Sequence, residues 1–256
     1  MCLILFAQGV HPEYPLIVAA NRDEFHSRPT DRAAFWPDHP DVLAGRDLQA
    51  GGTWMGVDRR GRFAAVTNFS EPPPEPVPPR SRGDLVADYL TGDLPAAEYL
   101  ARLGDCADAF RGFNLILGDR RELWYFSNRA DGAHRLAPGT YGLSNHLLDT
   151  AWPRVNRGKT ALADFERAEQ TPSAELLLDL LGDATEPRDE ELLSLHPDDR
   201  SPGARAPCFI IGDSYGTRSS SVLTVQRTGR VQFCEQRFGP GGAVLTRDDY
   251  SFEVLS

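Results

Sequence analysis

Leu16-Ile17-Val18-Ala19-Ala20-Asn21-Arg22-Asp23-Glu24 reads as a β-strand that opens on an apolar run and ends in polar and charged groups. Its partner is Cys2-Leu3-Ile4-Leu5-Phe6-Ala7-Gln8, and the connection between them contains the turn formers Gly9, His11, Pro12 and Pro15. The pair reads as an antiparallel hairpin with strands over 2–8 and 16–21. With the turn centred near residue 12, Cys2 falls opposite residue 22, which brings the polar end of the second strand beside the first residues of the chain. Alternation sends Asn21 and Asp23 to one face and Arg22 to the other.

The position of Cys2 gives it a chemical option. Loss of Met1 leaves a thiol and a free α-amine on one residue, and an amine with an ordinary pKa of about 7.7–8 can take the thiol proton near neutral pH, directly or through one water. The other reading is a small buried hydrophobe at a strand start, because free Cys is among the most buried residue types.

A chain of 256 residues, 41% hydrophobic and 25% charged, reads as one globular domain spanning 1–256. Its net charge of -10 argues against roles that rest on non-specific contact with nucleic acid or anionic lipid. No apolar run reaches the roughly 20 residues of a membrane span, so no stable membrane insertion is expected and the cytoplasm is the expected compartment. Cys2, Cys106, Cys208 and Cys234 form no CxxC pair, and His26, His39, His134, His146 and His196 show no metal-binding spacing. Reduced thiols and no metal are expected.

A second hairpin is expected from Trp54-Met55-Gly56-Val57, the turn Asp58-Arg59-Arg60-Gly61, and Phe63-Ala64-Ala65-Val66-Thr67-Asn68. The proline-rich run 72–79 supports neither a ladder nor a helix and reads as an extended loop, a plain connection or a pocket rim. Helices are expected over 84–90 and 95–103, the latter with Pro95 in its first turn. Strands follow over 113–117, 123–127 and 141–145. Helices over 153–167 and 172–181 come next, the second capped by Thr171. Residues 183–207 read as irregular with a short helix at 190–195, and the chain closes with strands over 208–212, 219–226 and 231–238. Strands in two groups with helices clustered between them give an α+β layering, not alternating βαβ units.

Asn21, Asn68 and Asn145 each end or follow a strand. A side-chain amide there can donate to a developing oxyanion or simply close a turn. Asp23 can accept from the Cys2 amine or serve in an ion pair, and Arg218 can anchor a carboxylate or sit in a surface pair. Ser219-Ser220-Ser221 lacks the elbow of a serine nucleophile, and Gly51-Gly52 and Gly241-Gly242 read as turns.

Asn21-Arg22-Asp23-Glu24 behind Met1-Cys2 resembles the motif that names the NRDE family, also called the transport and Golgi organisation 2 family. Further blocks are similar in the same order: Gly51-Gly52-Thr53-Trp54-Met55-Gly56-Val57, Ala65-Val66-Thr67-Asn68-Phe69, Ser81-Arg82-Gly83, Tyr141-Gly142-Leu143-Ser144-Asn145, Asp149-Thr150-Ala151-Trp152-Pro153 and Gly216-Thr217-Arg218-Ser219. That family in turn resembles cysteine amino-terminal-nucleophile hydrolases of the penicillin V acylase and bile salt hydrolase group. The resemblance implies an α+β fold, a four-layer αββα sandwich of two mainly antiparallel sheets flanked by helices. It implies Cys2 as nucleophile, Asp23 as the carboxylate that positions its amine, Asn68 and Asn145 as oxyanion donors, and Arg218 as a late active-site arginine. Asn21, Arg22, Trp54 and Phe69 fall among the residues that would contact substrate. At one place the sequence departs: the group has an Arg three residues before the Asp, where this chain has Ala20. Arg22 reads as a poor substitute, since alternation points it to the opposite face.

Two functions follow from the resemblance. One is an amidohydrolase that cleaves a C–N bond of a small-molecule amide without metal or organic cofactor. The other is a non-catalytic protein that binds or traffics haem or an acyl lipid in the same pocket, with Cys2 or a nearby His as a haem ligand.

Overall fold

β1 (Cys2–Gln8) pairs antiparallel with β2 (Leu16–Phe25), and Cys2 stands opposite Arg22, the register expected from the turn. The computed structural model describes residues 2–72, 74–167 and 171–255. Met1, whose removal the amine chemistry requires, and Pro73 of the proline run lie outside the described residues.

The chain continues through β3 (Thr30–Phe35), β4 (Val42–Asp47), β5 (Met55–Asp58) and β6 (Phe63–Asn68) to α1 (Gly83–Thr91) and α2 (Ala96–Gly104). Next come β7 (Phe113–Gly118), β8 (Leu123–Ser127), β9 (Ala133–Arg135) and β10 (Gly139–Leu143), then α3 (Pro153–Arg167), α4 (Ala174–Leu181) and α5 (Asp189–Leu193). β11 (Tyr215–Val225), β12 (Arg230–Phe238) and β13 (Val244–Glu253) close it.

Among the described residues two antiparallel sheets result, one of six strands in the order β10-β1-β2-β11-β12-β13 and one of seven in the order β3 to β9. Ile4, Phe6, Val18 and Ala20 of the first sheet meet Met55, Val57, Phe63, Ala65 and Ile116 of the second between the layers. Leu3, Leu5, Ile17 and Ala19 face the other way, onto Trp152, Val155 and Leu162 of the α3 region and Leu177 and Leu181 of α4. Leu85, Val86 and Leu90 of α1 and Leu100 and Leu103 of α2 cover the outer face of the second sheet. The layers are therefore αββα, as the resemblance implied. Each Leu, Ile or Phe taken fully out of water adds roughly 1.5–3 kcal/mol, so β1 and the first part of β2, buried on both faces, give the site a rigid floor.

Several boundaries differ from expectation for local reasons. Residues 208–212 form no strand, because the Ile210 N–H donates to the Thr217 hydroxyl (2.9 Å) and the Phe209 N–H to the Asp183 carbonyl (2.9 Å) instead of to a ladder. β11 begins earlier, at Tyr215, and follows the polar end of β2 through a bulge between Thr217 and Ser219. β3, β4, β9 and β13 carry weak sequence signals. β13 is a largely exposed edge strand carrying Arg247, Asp248 and Asp249, and such charges mask the alternation while discouraging edge pairing. α4 is capped by Ser173, whose hydroxyl accepts from the Leu176 N–H, rather than by Thr171.

Candidate active site around Cys2

Residues directly opposite in an antiparallel pair project to the same side, so Cys2 and Arg22 both face the second sheet. This corrects the reading of Arg22. Alternation has a period of two, so Ala20 and Arg22 necessarily share a face, and Asn21 and Asp23 are the residues that turn the other way. Cys2 and Arg22 line a chamber of about 150 Å3 together with Asp47, Trp54, Asn68 and Arg82. Its rim is set by an interlock of two loops. A β-carbon on Gly52 would meet the Gly83 backbone carbon at 2.5 Å, and the Thr53 N–H donates to the Gly83 carbonyl (3.2 Å), so only glycine lets the 51–54 turn close on the start of α1.

The backbone of Cys2 is held from the end of β10. Its N–H donates to Asn145 Oδ1 at 3.2 Å, and its carbonyl accepts from the Ser144 hydroxyl at 2.9 Å. Asn145 Nδ2 donates to the Asn68 carbonyl at the end of β6 (2.8 Å), so this side chain joins one sheet to the other. Behind it, Thr67 donates to the Ser144 carbonyl (2.6 Å), and Asn114 Nδ2 donates to Thr67 Oγ1 (3.1 Å) and the His146 carbonyl (3.0 Å). Asn145 is thus engaged through both its oxygen and its nitrogen. The Asn68 side chain makes no hydrogen bond among the described residues, and it is the amide with a donor free to face the chamber.

Asp23 reaches Cys2 through its backbone, whose N–H points at the sulfur. Its carboxylate lies toward α3, where Arg154 Nη2 donates to it at 2.9 Å and the Thr217 hydroxyl at 2.8 Å. Both ion-paired side chains are wholly buried. Asn21, expected at the substrate, lies on this same outward face. Its Nδ2 donates to the carbonyls of Leu181 (3.0 Å) and Cys208 (2.8 Å), and its Oδ1 accepts from Ser220 (2.6 Å). It is a clamp between β2, β11 and the end of α4, away from the chamber.

Arg218 stands at the β11 bulge and does not line the chamber; its Nη1 donates to the carbonyls of Phe25 (2.7 Å) and Arg28 (3.2 Å). Trp54 does line it. Phe69 sits in an adjoining cavity of about 300 Å3, which shares Asn68 and Arg82 with the chamber and is rimmed by Pro72 and Pro74 of the proline run. The Phe69 ring lies 5.0 Å from that of His146. Burial lowers the pKa of His146 against the pull of Asp199. No group of three or more His, Cys, Asp or Glu among the described residues is arranged to hold a metal.

Burial pushes the Cys2 thiol above its ordinary range, and the Asp23 charge adds to the rise. Arg22 and the Asp23 N–H pull in the other direction without cancelling it. A cysteine so placed needs a base at hand to become a nucleophile.

A family model described as Transport and Golgi organisation 2 matches residues 1–240. The chain belongs to that family. The Transport and Golgi organization protein 2 homolog of Bos taurus is 38% identical over 260 residues, and the Mus musculus homolog 35% identical over 257, each alignment covering 92% of both chains. The Drosophila melanogaster protein is 30% identical over 259 residues. Among solved structures, the Caenorhabditis elegans N-acylethanolamine-hydrolyzing acid amidase ortholog superposes with a TM-score of 0.52 at 12% identity, covering 87% of this chain and 92% of that one. That likeness shows the fold of this chain to be that of the amino-terminal-nucleophile hydrolases.

Within this family member, sequence reasoning left Ser144, Arg82, Asn114 and Arg154 without roles. Ser144 and Arg82 stand inside blocks already singled out, next to Asn145 and Gly83, so position alone could have nominated them. Asn114 and Arg154 gave no signal, since a polar residue in an apolar strand and an Arg in the first turn of a helix both resemble solvated positions. Among the described residues no helix is long and apolar enough to cross a membrane.

Proposed function

We propose that the chain is a cysteine amidohydrolase of the amino-terminal-nucleophile type, cleaving a C–N amide bond of a small molecule with Cys2 as nucleophile after removal of Met1. The observation that carries this reading is the double anchorage of Cys2 at the chamber wall: its N–H is fixed on Asn145 Oδ1 at 3.2 Å and its carbonyl on the Ser144 hydroxyl at 2.9 Å. Once Met1 is gone that nitrogen is an amine, and Asn145 Oδ1 holds it oriented beside the thiol. The amine takes the thiol proton and the sulfur attacks the carbonyl carbon. Asn68 Nδ2 donates to the resulting oxyanion. Collapse breaks the C–N bond, the ammonium returns its proton to the leaving amine, and water then hydrolyses the thioester to the acid. Arg154 and Thr217 fix Asp23, and through it the backbone N–H that faces the sulfur. The proposal requires no metal or organic cofactor.

In a chain that retains Met1 the raised thiol lacks its base. The same chamber then serves a binding role, with an acyl lipid or haem as the ligand to test. Intact mass of untagged protein decides between the states, and release of amine from a panel of small N-acyl compounds tests the chemistry. Loss of Met1 together with turnover that disappears in Cys2→Ala is the expected result. Turnover unchanged in Cys2→Ala overturns the mechanism, and a saturable haem or acyl-lipid complex of the unprocessed chain without turnover establishes the binding role in its place.

A further inference from the structure

Arg22 presents an electrostatic imbalance that the reaction above does not use. The residue is 6% exposed and lines the Cys2 chamber, and among the described residues nothing accepts a hydrogen bond from its buried Nη1. Its ion pair is loose: Nη2 lies 3.9 Å from Asp47 Oδ2. That carboxylate is already occupied. Arg28 Nε donates to Oδ2 at 2.7 Å, and the backbone N–H groups of Gln49 (2.9 Å) and Ala50 (3.1 Å) donate to Oδ1. Burial opposes the Asp47 charge, yet Arg28 and the two amides outweigh it and hold the carboxyl below its ordinary range.

Arg82 adds to the imbalance. It lines both the chamber and the adjoining cavity, donates through Nη1 to the Gly112 carbonyl (3.2 Å), and makes no ion pair within 4.0 Å among the described residues. Burial and the neighbouring Arg111 weaken its hold on a proton, as expected for a cation short of counter-charge. Glu24 lines the chamber too; its Oε1 accepts from the adjacent Phe25 N–H (2.8 Å), and among the described residues it makes no ion pair within 4.0 Å with Arg22 or Arg82. Buried guanidinium donors without acceptors are costly, and a planar oxyanion is the group that satisfies them best.

We infer that the Cys2 chamber takes an anionic ligand, with a carboxylate or phosphoryl oxygen on Arg22 beside the thiol and Arg82 as the second guanidinium. The inference rests on reading the chamber as the ligand site, but on neither turnover nor the loss of Met1. It narrows the ligand from any small amide to one that carries a negative group within a few atoms of the bond facing Cys2. Arg22 thereby acquires a reason to be buried where Ala20 leaves room beside it.

Alkylation of Cys2 supplies the test, because iodoacetate and iodoacetamide differ in the anion and form the same bond to sulfur. Rates are read on the Cys2 peptide by mass spectrometry and normalised to N-acetylcysteine under the same conditions. Wild type is expected to favour iodoacetate over iodoacetamide by about tenfold, the scale of one charge-assisted hydrogen bond. Arg22→Gln is expected to bring the ratio close to one, and Arg22→Lys to retain part of it. In the wild type, protection from iodoacetamide by acetate but not by inorganic phosphate assigns a carboxylate site, and the reverse assigns a phosphoryl site. A wild-type ratio near one with no protection by either anion overturns the inference, as does a tenfold ratio that survives in folded Arg22→Gln. The wild-type arm stands even if a variant fails to fold. A chain with the anion preference but no amide turnover would sink the hydrolase reading and leave the anion site in place.

Discussion

Arg154 holds Asp23 at 2.9 Å on the face of β2 opposite to the one that carries Cys2 and Arg22. The pair acts on the cysteine from behind the sheet. Two charges with no solvent exposure are worth little as a replaceable unit but a great deal once one partner is missing. Arg154→Leu is therefore expected to cost about 3–5 kcal/mol in urea unfolding, and the double variant Asp23→Leu with Arg154→Leu to recover most of that loss. Equal destabilisation of single and double variants would show that the pair is not an isolated charge couple.

Asn68 and Asn145 are expected to separate in kinetics. Under the proposed mechanism Asn68→Ala removes the free donor and lowers kcat by about 100- to 1,000-fold with little change in KM. Asn145→Ala removes the anchor of the Cys2 nitrogen and the link to the Asn68 carbonyl, so stability falls along with kcat. Steady-state kinetics beside thermal melts distinguishes the two. A kinetic defect in Asn145→Ala with an unaltered melt would count against its bridging role.

Gly52→Ala tests the interlock at the rim. The added carbon meets backbone at 2.5 Å rather than a movable side chain, so the turn must back away from α1. A loss of about 1–3 kcal/mol is expected, together with faster entry of neutral alkylating reagents to Cys2 as the rim opens. Wild-type stability and wild-type labelling would show that the turn has another way to close.

Glu235 governs part of the pH dependence. It is buried between the sheets, accepts from the Ala33 N–H (2.8 Å), and stands opposite Asp248 in the ladder. Burial pushes its carboxyl above the ordinary 4.5 despite the Ala33 amide and Arg237. Above that value the unfolded chain releases a proton that the folded chain keeps, so this group's contribution is complete below pH 4.5 and is lost as pH rises through the folded pKa. The stability of wild type minus that of Glu235→Gln should therefore fall from pH 4.5 upward and level off beyond the raised value. A difference that rises with pH would reverse the assignment.

The α+β layering was legible because the apolar segments are long and the turns between them are rich in Gly and Pro, whereas the αββα order of the layers came from the resemblance alone. Opposition of Cys2 and residue 22 followed from counting through one turn. What escaped was set by contacts distant in sequence. Asn21 is a clamp because Leu181 and Cys208 arrive beside it, 160 and 187 residues later. Arg154 reads as a surface residue until helix packing seals it. The strand expected over 208–212 failed because one hydroxyl, that of Thr217, competes for its amide. Edge strand β13 stayed hidden because its charges answer to solvent and not to a core.

Asn145 has one amide oxygen on the first strand of one sheet and its amide nitrogen on the last residue of a strand in the other. Aim and architecture are consequently a single mechanical variable. Under the proposed mechanism, a wedge that widens the gap between the sheets strains both hydrogen bonds of that amide, and the cysteine loses its alignment with Asn68 before the core comes apart. Ligands or substitutions deep among the interlayer residues can therefore detune the site from a distance while the protein still melts as a folded one.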